Sequence, residues 1–436
     1  MNIIYMHTHD TGRYISPYGY DVPTPNLMEL AKEGTVFRHA FSAAPTCSPS
    51  RSALLTGLYP HTNGMFGLAH RGFRLHDIKS HIVNLLNQNN VETVLCGVQH
   101  LVHPDPCEIG YQRIITKKPN ETDGGHQDID EQNARSVASY LMEKKDNPFF
   151  LSFGMVNTHR DWPDAESEIN DNYVMPPFPI YDNAGARKDY AAYLVSAKKA
   201  DRAVGIVMDA LAKSGHHEDT MVIFTTDHGL AYPNMKCNLY DTGIGVSLII
   251  KYPGNPKKGL AVDALVSHLD LFPTICEAMG VAVPSNVQGS SLFPVLSGER
   301  DEIRDEIHAE VTFHAVYEPM RCIRTKRFKL IRYFGDGEYH PSNIDGSTVK
   351  DFMAEHGFLR QKHPALLLFD LYLDSVERIN LAGNESYSDI LEELKVRLEN
   401  WMKRTNDPLL TGRIEKPAGA IVNKGSCYSP RTEDFE

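Results

Sequence analysis

Short apolar runs separated by helical stretches constrain this chain more than any other feature. NIIYMHT (2–8), VETVLC (91–96), PFFLSFG (148–154), TMVIFTTD (220–227) and GVSLIIK (245–251) read as buried strands. Between the first two, TPNLMELAKEG (24–34) predicts a helix, with Thr24 as N-cap, Pro25 at the first helical position and Gly34 at the end. Residues 185–214 and 270–279 read as further helices. Strands alternating with helices predict an α/β fold: a large, mainly parallel sheet sandwiched by helices.

The texture changes after about residue 305. EIHAEVTF, MRCIRTK, FKLIRYF and LLLFDLYL are closely spaced strand candidates ahead of a helix at 388–403, which predicts a small C-terminal antiparallel sheet with one packed helix. The charged stretch SGERDEIRDE marks a boundary, giving a catalytic α/β domain over 1–305 and an α+β subdomain over 306–436 whose last part, 409–436, is an irregular tail.

Composition narrows the function classes. With 42% hydrophobic and 23% charged residues, the 436-residue chain has an ordinary soluble balance and no apolar run able to cross a bilayer. Its formal charge of −12 argues against nucleic acid or an anionic membrane as partner, so a small anionic substrate needs local positive charge or a metal. The seven cysteines are odd in number and lack CxxC pairs, which suggests neither a disulfide framework nor a structural zinc site. The opening MNIIYMHTHD shows no secretory signal, and the expectation is a cytoplasmic protein.

Ionisable residues gather where the strands should end: His9 and Asp10, His100, His159 and Arg160, Asp227 and His228. In an open α/β sheet these carboxyl ends form one edge, where chemistry is placed. Mixed carboxylate and imidazole donors suit a divalent metal, although any one pair alone equally suits a local strand-end hydrogen bond. PTCSPSRSALLTG (45–57) starts a further helix with Cys47 at or just before its N-terminus. The orphan N–H groups and dipole there favour a thiolate or alkoxide.

CSPSR (47–51), followed by SALLTG, resembles the motif of the type I, formylglycine-dependent sulfatases of the alkaline-phosphatase-like superfamily. The resemblance runs through NIIYMHTHDTG, VNTHRDWP, IFTTDHG, KCNLYDTGIGVSLII and SHLDLFPTI to MRCIRTKRFKLIRY, LFDLYLDSVERINLAGN and WMKRTNDP. Within the family, CSPSRSALLTGLYPHTNGMFGL and the ending are most similar to the sulfamidase (N-sulfoglucosamine sulfohydrolase) group.

The resemblance implies a sulfuric ester or sulfamate hydrolase acting on a small anionic sulfated substrate. It implies that a formylglycine-generating enzyme reads Cys47, Pro49 and Arg51 and converts Cys47 to formylglycine, whose hydrated aldehyde is the nucleophile. Arg51 then holds the modified residue, His100 is the base, and His159 with Lys236 protonates the leaving atom. Arg160 and His314 are candidates for substrate contact; the metal ligands are Asp10, Asp227, His228, the modified Cys47 and His9.

Three departures sharpen the expectation. His9–Asp10 and Asp227–His228 stand where most sulfatases carry Asp–Asp and Asp–Asn. Calcium is the family's usual ion, but two imidazoles favour Mn²⁺, Zn²⁺ or Fe²⁺. Asp–His in the second loop is also seen in related phosphonate monoester hydrolases, so phosphonate or phosphodiester hydrolysis is the alternative activity; a binding protein with a degenerate fold and an unmodified Cys47 is the non-enzymatic one. Val98 occupies the position of an expected lysine, with His9 and His103 as candidates to replace its charge, and loops 103–130, 160–185 and 336–366 shape the pocket.

Overall fold

The computed structural model describes residues 1–117, 129–165 and 168–436, so parts of two of the pocket loops, 118–128 and 166–167, lie outside the described residues. Eight strands form the main sheet: β1 (Asn2–Thr8), β2 (Thr35–Phe41), β3 (Glu92–Gly97), β4 (Arg113–Ile114), β5 (Phe149–Gly154), β6 (Thr220–Thr226), β7 (Leu248–Lys251) and β8 (Leu260–Ser267). Their order is β4-β3-β5-β1-β6-β7-β2-β8. Every pairing is parallel except the two made by β7, so the expected mainly parallel sheet carries one reversed strand.

Alternation along β1 sorts its side chains onto two cores. Ile3 and Tyr5 pack with Leu54, Leu86 and Ile275 on one face; Ile4 and Met6 pack with Val137, Val204 and Val207 on the other. These side chains are buried, and each contributes roughly 1.5–3 kcal/mol through the apolar surface it removes from water. The second face is covered by helices Ile129–Leu141 and Ala184–Ser214, the latter close to the predicted 185–214.

The helix predicted after Thr24 forms over Pro25–Glu33 and stops before Gly34, but Thr24 makes no side-chain cap. Its hydroxyl accepts instead from Ser16 N–H at 2.9 Å, and Asp201, on the long helix, takes the N–H groups of Asn26 and Leu27 at 3.1 and 2.8 Å. A carboxylate distant in sequence thus does the capping.

The second sheet is antiparallel, in the order β12-β11-β10-β9, from β9 (Glu306–Phe313), β10 (Tyr317–Thr325), β11 (Phe328–Tyr333) and β12 (Leu366–Asp370). Helix Ser388–Arg404 buries Leu394, Leu398, Trp401 and Met402 at the helical spacing. A buried polar knot ties the sheets together: Glu310 receives the His61 backbone N–H at 2.8 Å and lies 3.2 Å from the Arg321 guanidinium, which donates to Asp407. The tail is irregular but held, with Arg71 donating to Asn423 and to the Pro430 carbonyl. No described helix is long and apolar enough to cross a membrane.

Candidate active site

Helix Cys47–Thr56 follows β2 and points its N-terminus at the carboxyl ends of β1 and β6. All 10 of its residues are buried, Cys47 being its first. Burial pushes the Cys47 thiol well above its ordinary range, against the pull of Lys236. One turn on, Ser50 donates to the Asp227 carbonyl at 2.6 Å, and Arg51, 2% exposed, reaches under β1. Its guanidinium donates to His7 Nδ1, to the Thr8 carbonyl at 3.1 Å and to Asp227 Oδ2 at 3.0 Å. Arg51 is therefore a fixed cation.

Asp227 is held by donors on both oxygens. Its Oδ1 accepts the backbone N–H groups of Asp10 at 2.8 Å and His228 at 2.9 Å, while Oδ2 faces Arg51 and, at 3.1 Å, His9 Nδ1. Burial alone would raise this carboxyl, but His228 and Arg51 hold it well below the usual carboxylate range. Asp10 takes a left-handed backbone (φ 49°), tolerated by Asp, that turns its side chain inward. Its Oδ2 accepts from Lys236 at 2.9 Å, whereas its buried Oδ1 has no hydrogen-bond partner.

That orphaned oxygen bears on the metal. The ligand atoms of His9, Asp10, Cys47 and Asp227 all lie within 4.8 Å of one another. His228 Nδ1 lies 3.0 Å from the Gly229 carbonyl, and its Nε2 is 3.4 Å from Asp10 Oδ1, 3.7 Å from Asp227 Oδ2 and 3.6 Å from Cys47 Sγ. The five residues expected to ligate a metal are brought together, and they fit a divalent ion.

Beside this pocket stand three imidazoles. The His9 ring lies 4.6 Å from His100 and 5.4 Å from His159, centroid to centroid. Burial, with Arg51 and His159 nearby, lowers the His100 pKa to about 3, so its ring is neutral. The loop that carries His159 is anchored by Asp130, whose carboxylate accepts the Val156 and Asn157 N–H groups, each at 2.8 Å. Gly97, at the start of the His100 loop, is required: a Cβ there would stand 1.9 Å from the Gly154 carbonyl oxygen at the end of β5.

Arg160 and His314 part company. Arg160 turns away to a two-pronged pair with Asp189 at 2.9 and 2.6 Å, sandwiched between Trp162 and Tyr232, where the sequence suggested a substrate contact. It fixes the His159 loop to the long helix. His314 is buried within the electrostatic reach of Lys236 and His228, which with burial lowers its pKa well below the ordinary value. Of the candidates to replace the lysine missing at Val98, His9 lies inside the cluster and His103 is exposed, lining a separate cleft of about 330 Å³.

Two residues that the sequence reading did not single out complete the site. His7 receives Arg51; its place on the inward face of NIIYMHT, in step with Tyr5, was the available signal. Asp345 stands 3.2 Å from Lys236 Nζ, and nothing in the sequence around it marks it.

The fold is alkaline-phosphatase-like, with a large mostly parallel sheet and a separate small antiparallel one. A phosphonate monoester hydrolase from Silicibacter pomeroyi has this fold, with a TM-score of 0.71 at 19% identity over 93% of this chain and 95% of that one. The Sulfatase family profile matches residues 1–281, and the profile for the C-terminal part of N-sulphoglucosamine sulphohydrolase matches residues 231–354. The chain belongs to the sulfatase family. It is 31% identical to an ulvan-active sulfatase from Formosa agariphila, over 98% of this chain and 84% of that protein. It is 29% identical to human N-sulphoglucosamine sulphohydrolase, over 92% and 89%.

Proposed function

We propose that this sulfatase cleaves the sulfuric ester or sulfamate of a small sulfated sugar, using formylglycine derived from Cys47 and one divalent ion held by His9, Asp10, Asp227, His228 and the modified residue. The observation that carries the proposal is the meeting of Cys47 Sγ with orphaned, buried metal donors at a strand edge where Arg51 and Lys236 are both fixed. The chain's likeness to a sulfamidase along most of its length supports the sugar class.

Sulfuryl transfer passes through a flat SO₃-like group with negative oxygens, so positioned charge does most of the work. A bound ion supplies concentrated positive charge at the nucleophile, and the donor set favours Mn²⁺, Zn²⁺ or Fe²⁺ over Ca²⁺. Formylglycine supplies a hydrated aldehyde, with one hydroxyl to attack sulfur and a second whose deprotonation expels sulfate. Arg51 keeps its charge at the base of the site because His7, Thr8 and Asp227 leave it no other orientation. His100 and His159 both stand beside His9, where His100 can take a proton and His159 with Lys236 can give one to the leaving oxygen or nitrogen.

The test is mass spectrometry of the tryptic peptide His39–Arg51 from protein made in cells that contain a formylglycine-generating enzyme, paired with sulfate release. An aldehyde in place of the thiol, together with activity, is expected; an active protein bearing only the thiol would overturn the proposal. Asp227–His228 favours aryl phosphonate hydrolysis as the second reading, which equal or faster turnover of an aryl phosphonate than of an aryl sulfate would establish.

A further inference from the structure

A site that must hold an anion contains a carboxylate that no metal or capping role explains. Asp345 follows the short turn Pro341–Asn343, and its Oδ2 lies 3.2 Å from Lys236 Nζ. Its loop is rigidly pinned. Asn343 Oδ1 accepts the N–H groups of Ala315 at 2.9 Å and Val316 at 3.0 Å, Asn343 Nδ2 donates to Glu318 at 2.7 Å, and Lys350 Nζ donates to the Ile344 carbonyl at 2.9 Å. The strand connection so held is the one that carries His314.

Lys236 accounts for Asp345 only in part: its ammonium donates to Asp10 and pairs with Asp345 Oδ2 at 3.2 Å, but that ion pair lacks hydrogen-bond geometry and leaves the buried Oδ2 with no hydrogen-bond partner. The side chain is nonetheless 18% exposed, and the exposed part lies away from the buried Oδ2. A carboxylate here repels the substrate's sulfate, and beyond the ion pair with Lys236 that cost is offset by a group that donates a hydrogen bond to it. His159, His314 and Arg160 are the charged or titratable neighbours within its electrostatic reach besides Lys236, which puts it on the leaving-group side of the cluster.

We infer that Asp345 determines specificity: its open oxygen accepts a hydrogen bond from a hydroxyl or amino group of the sugar, adjacent to the scissile sulfate. The inference rests on the sulfatase reading above and adds the residue that selects a hydroxyl- or amino-bearing leaving group over an aromatic one. It also disfavours a second anionic group at that position of the substrate.

Asp345→Asn, which keeps the shape and removes the charge, is the test, made in mature, metal-loaded protein with glucosamine N-sulfate and 4-nitrophenyl sulfate. The expected result is a fall of about ten- to a hundredfold in kcat/KM for the sugar and a fall about tenfold smaller for the aryl ester, which loses only the ion pair with Lys236. An unchanged ratio of the two would overturn the inference. Calorimetry with glucosamine and with inorganic sulfate gives an independent reading: the variant should weaken the first and not the second, and equal effects on both would overturn it. Failure of the parent to release sulfate from either compound, with the calorimetric difference intact, would remove the hydrolase reading and leave Asp345 as a sugar contact. Asp345→Glu, which retains charge but moves the oxygen, replaces the asparagine variant if that one does not fold, and the same loss is expected.

Discussion

Acid should weaken this protein through a histidine far from the metal cluster. His81 is fully buried at the start of helix Ile82–Gln88; its Nδ1 accepts the Val83 N–H at 3.3 Å, and its Nε2 has no partner. Burial alone lowers its pKa from 6.5 to about 3. Because the folded-state value is the lower one, the unfolded chain takes up the proton first. His81 costs nothing above about pH 6.5, and stability is lost as pH falls from there toward 3. A pH of 5 lies about 1.5 units below the unfolded imidazole's pKa of 6.5, which at about 1.36 kcal/mol per unit is a loss of about 2 kcal/mol. His81→Asn retains an acceptor for Val83 and cannot ionise. Urea unfolding at pH 7.5 and pH 5.0 should show the variant weaker than the parent at neutral pH, through lost packing, but with a pH-dependent loss smaller by about 2 kcal/mol. His100 and His268, depressed in the same way, contribute equally to both proteins and cancel. An identical pH dependence in parent and variant would refute the reasoning.

Three further outcomes are expected. Asp407→Ala strips a partner from the buried Arg321 and should destabilise the protein by about 3–5 kcal/mol, seen as a lowered melting temperature. Gly97→Ala forces a Cβ against the Gly154 carbonyl, so sulfate release should drop even where circular dichroism shows the protein folded. Chelation should abolish activity, and Mn²⁺ or Zn²⁺ should restore more of it than Ca²⁺; recovery with Ca²⁺ alone would show that His9 and His228 do not ligate.

Five strands of the main sheet, β1, β3, β5, β6 and β7, were legible because they are short apolar runs buried along most of their length. β2 and β8 were not. TVFRHAF places Arg38 and His39, both part-exposed, in its middle, beside a register shift against β8, and LAVDALVS begins exposed, so neither shows a clean run. The strand-end rule gathered four of the five candidate metal ligands from local sequence alone, since His9, Asp10, Asp227 and His228 sit one or two positions beyond a strand, whereas Cys47 was marked by its helix start. Arg160 shows the limit of that rule: adjacency to His159 suggested the pocket, but its orientation is set by Asp189, 29 residues away on another element. Asp345 lies in a long irregular loop, and only the pairing of β9 with β10 and the turn held by Asn343 bring it to Lys236.

The burial of helix Cys47–Thr56 fixes an order of events. Cys47 is 4% exposed, Arg51 is 2% exposed, and Pro49 between them is buried, so no second enzyme can read these three side chains in the folded protein. Maturation as proposed must therefore happen on the nascent or unfolded chain. Protein folded without the modifying enzyme should stay a thiol when that enzyme is added later, and should convert only after denaturation. Folding closes the window.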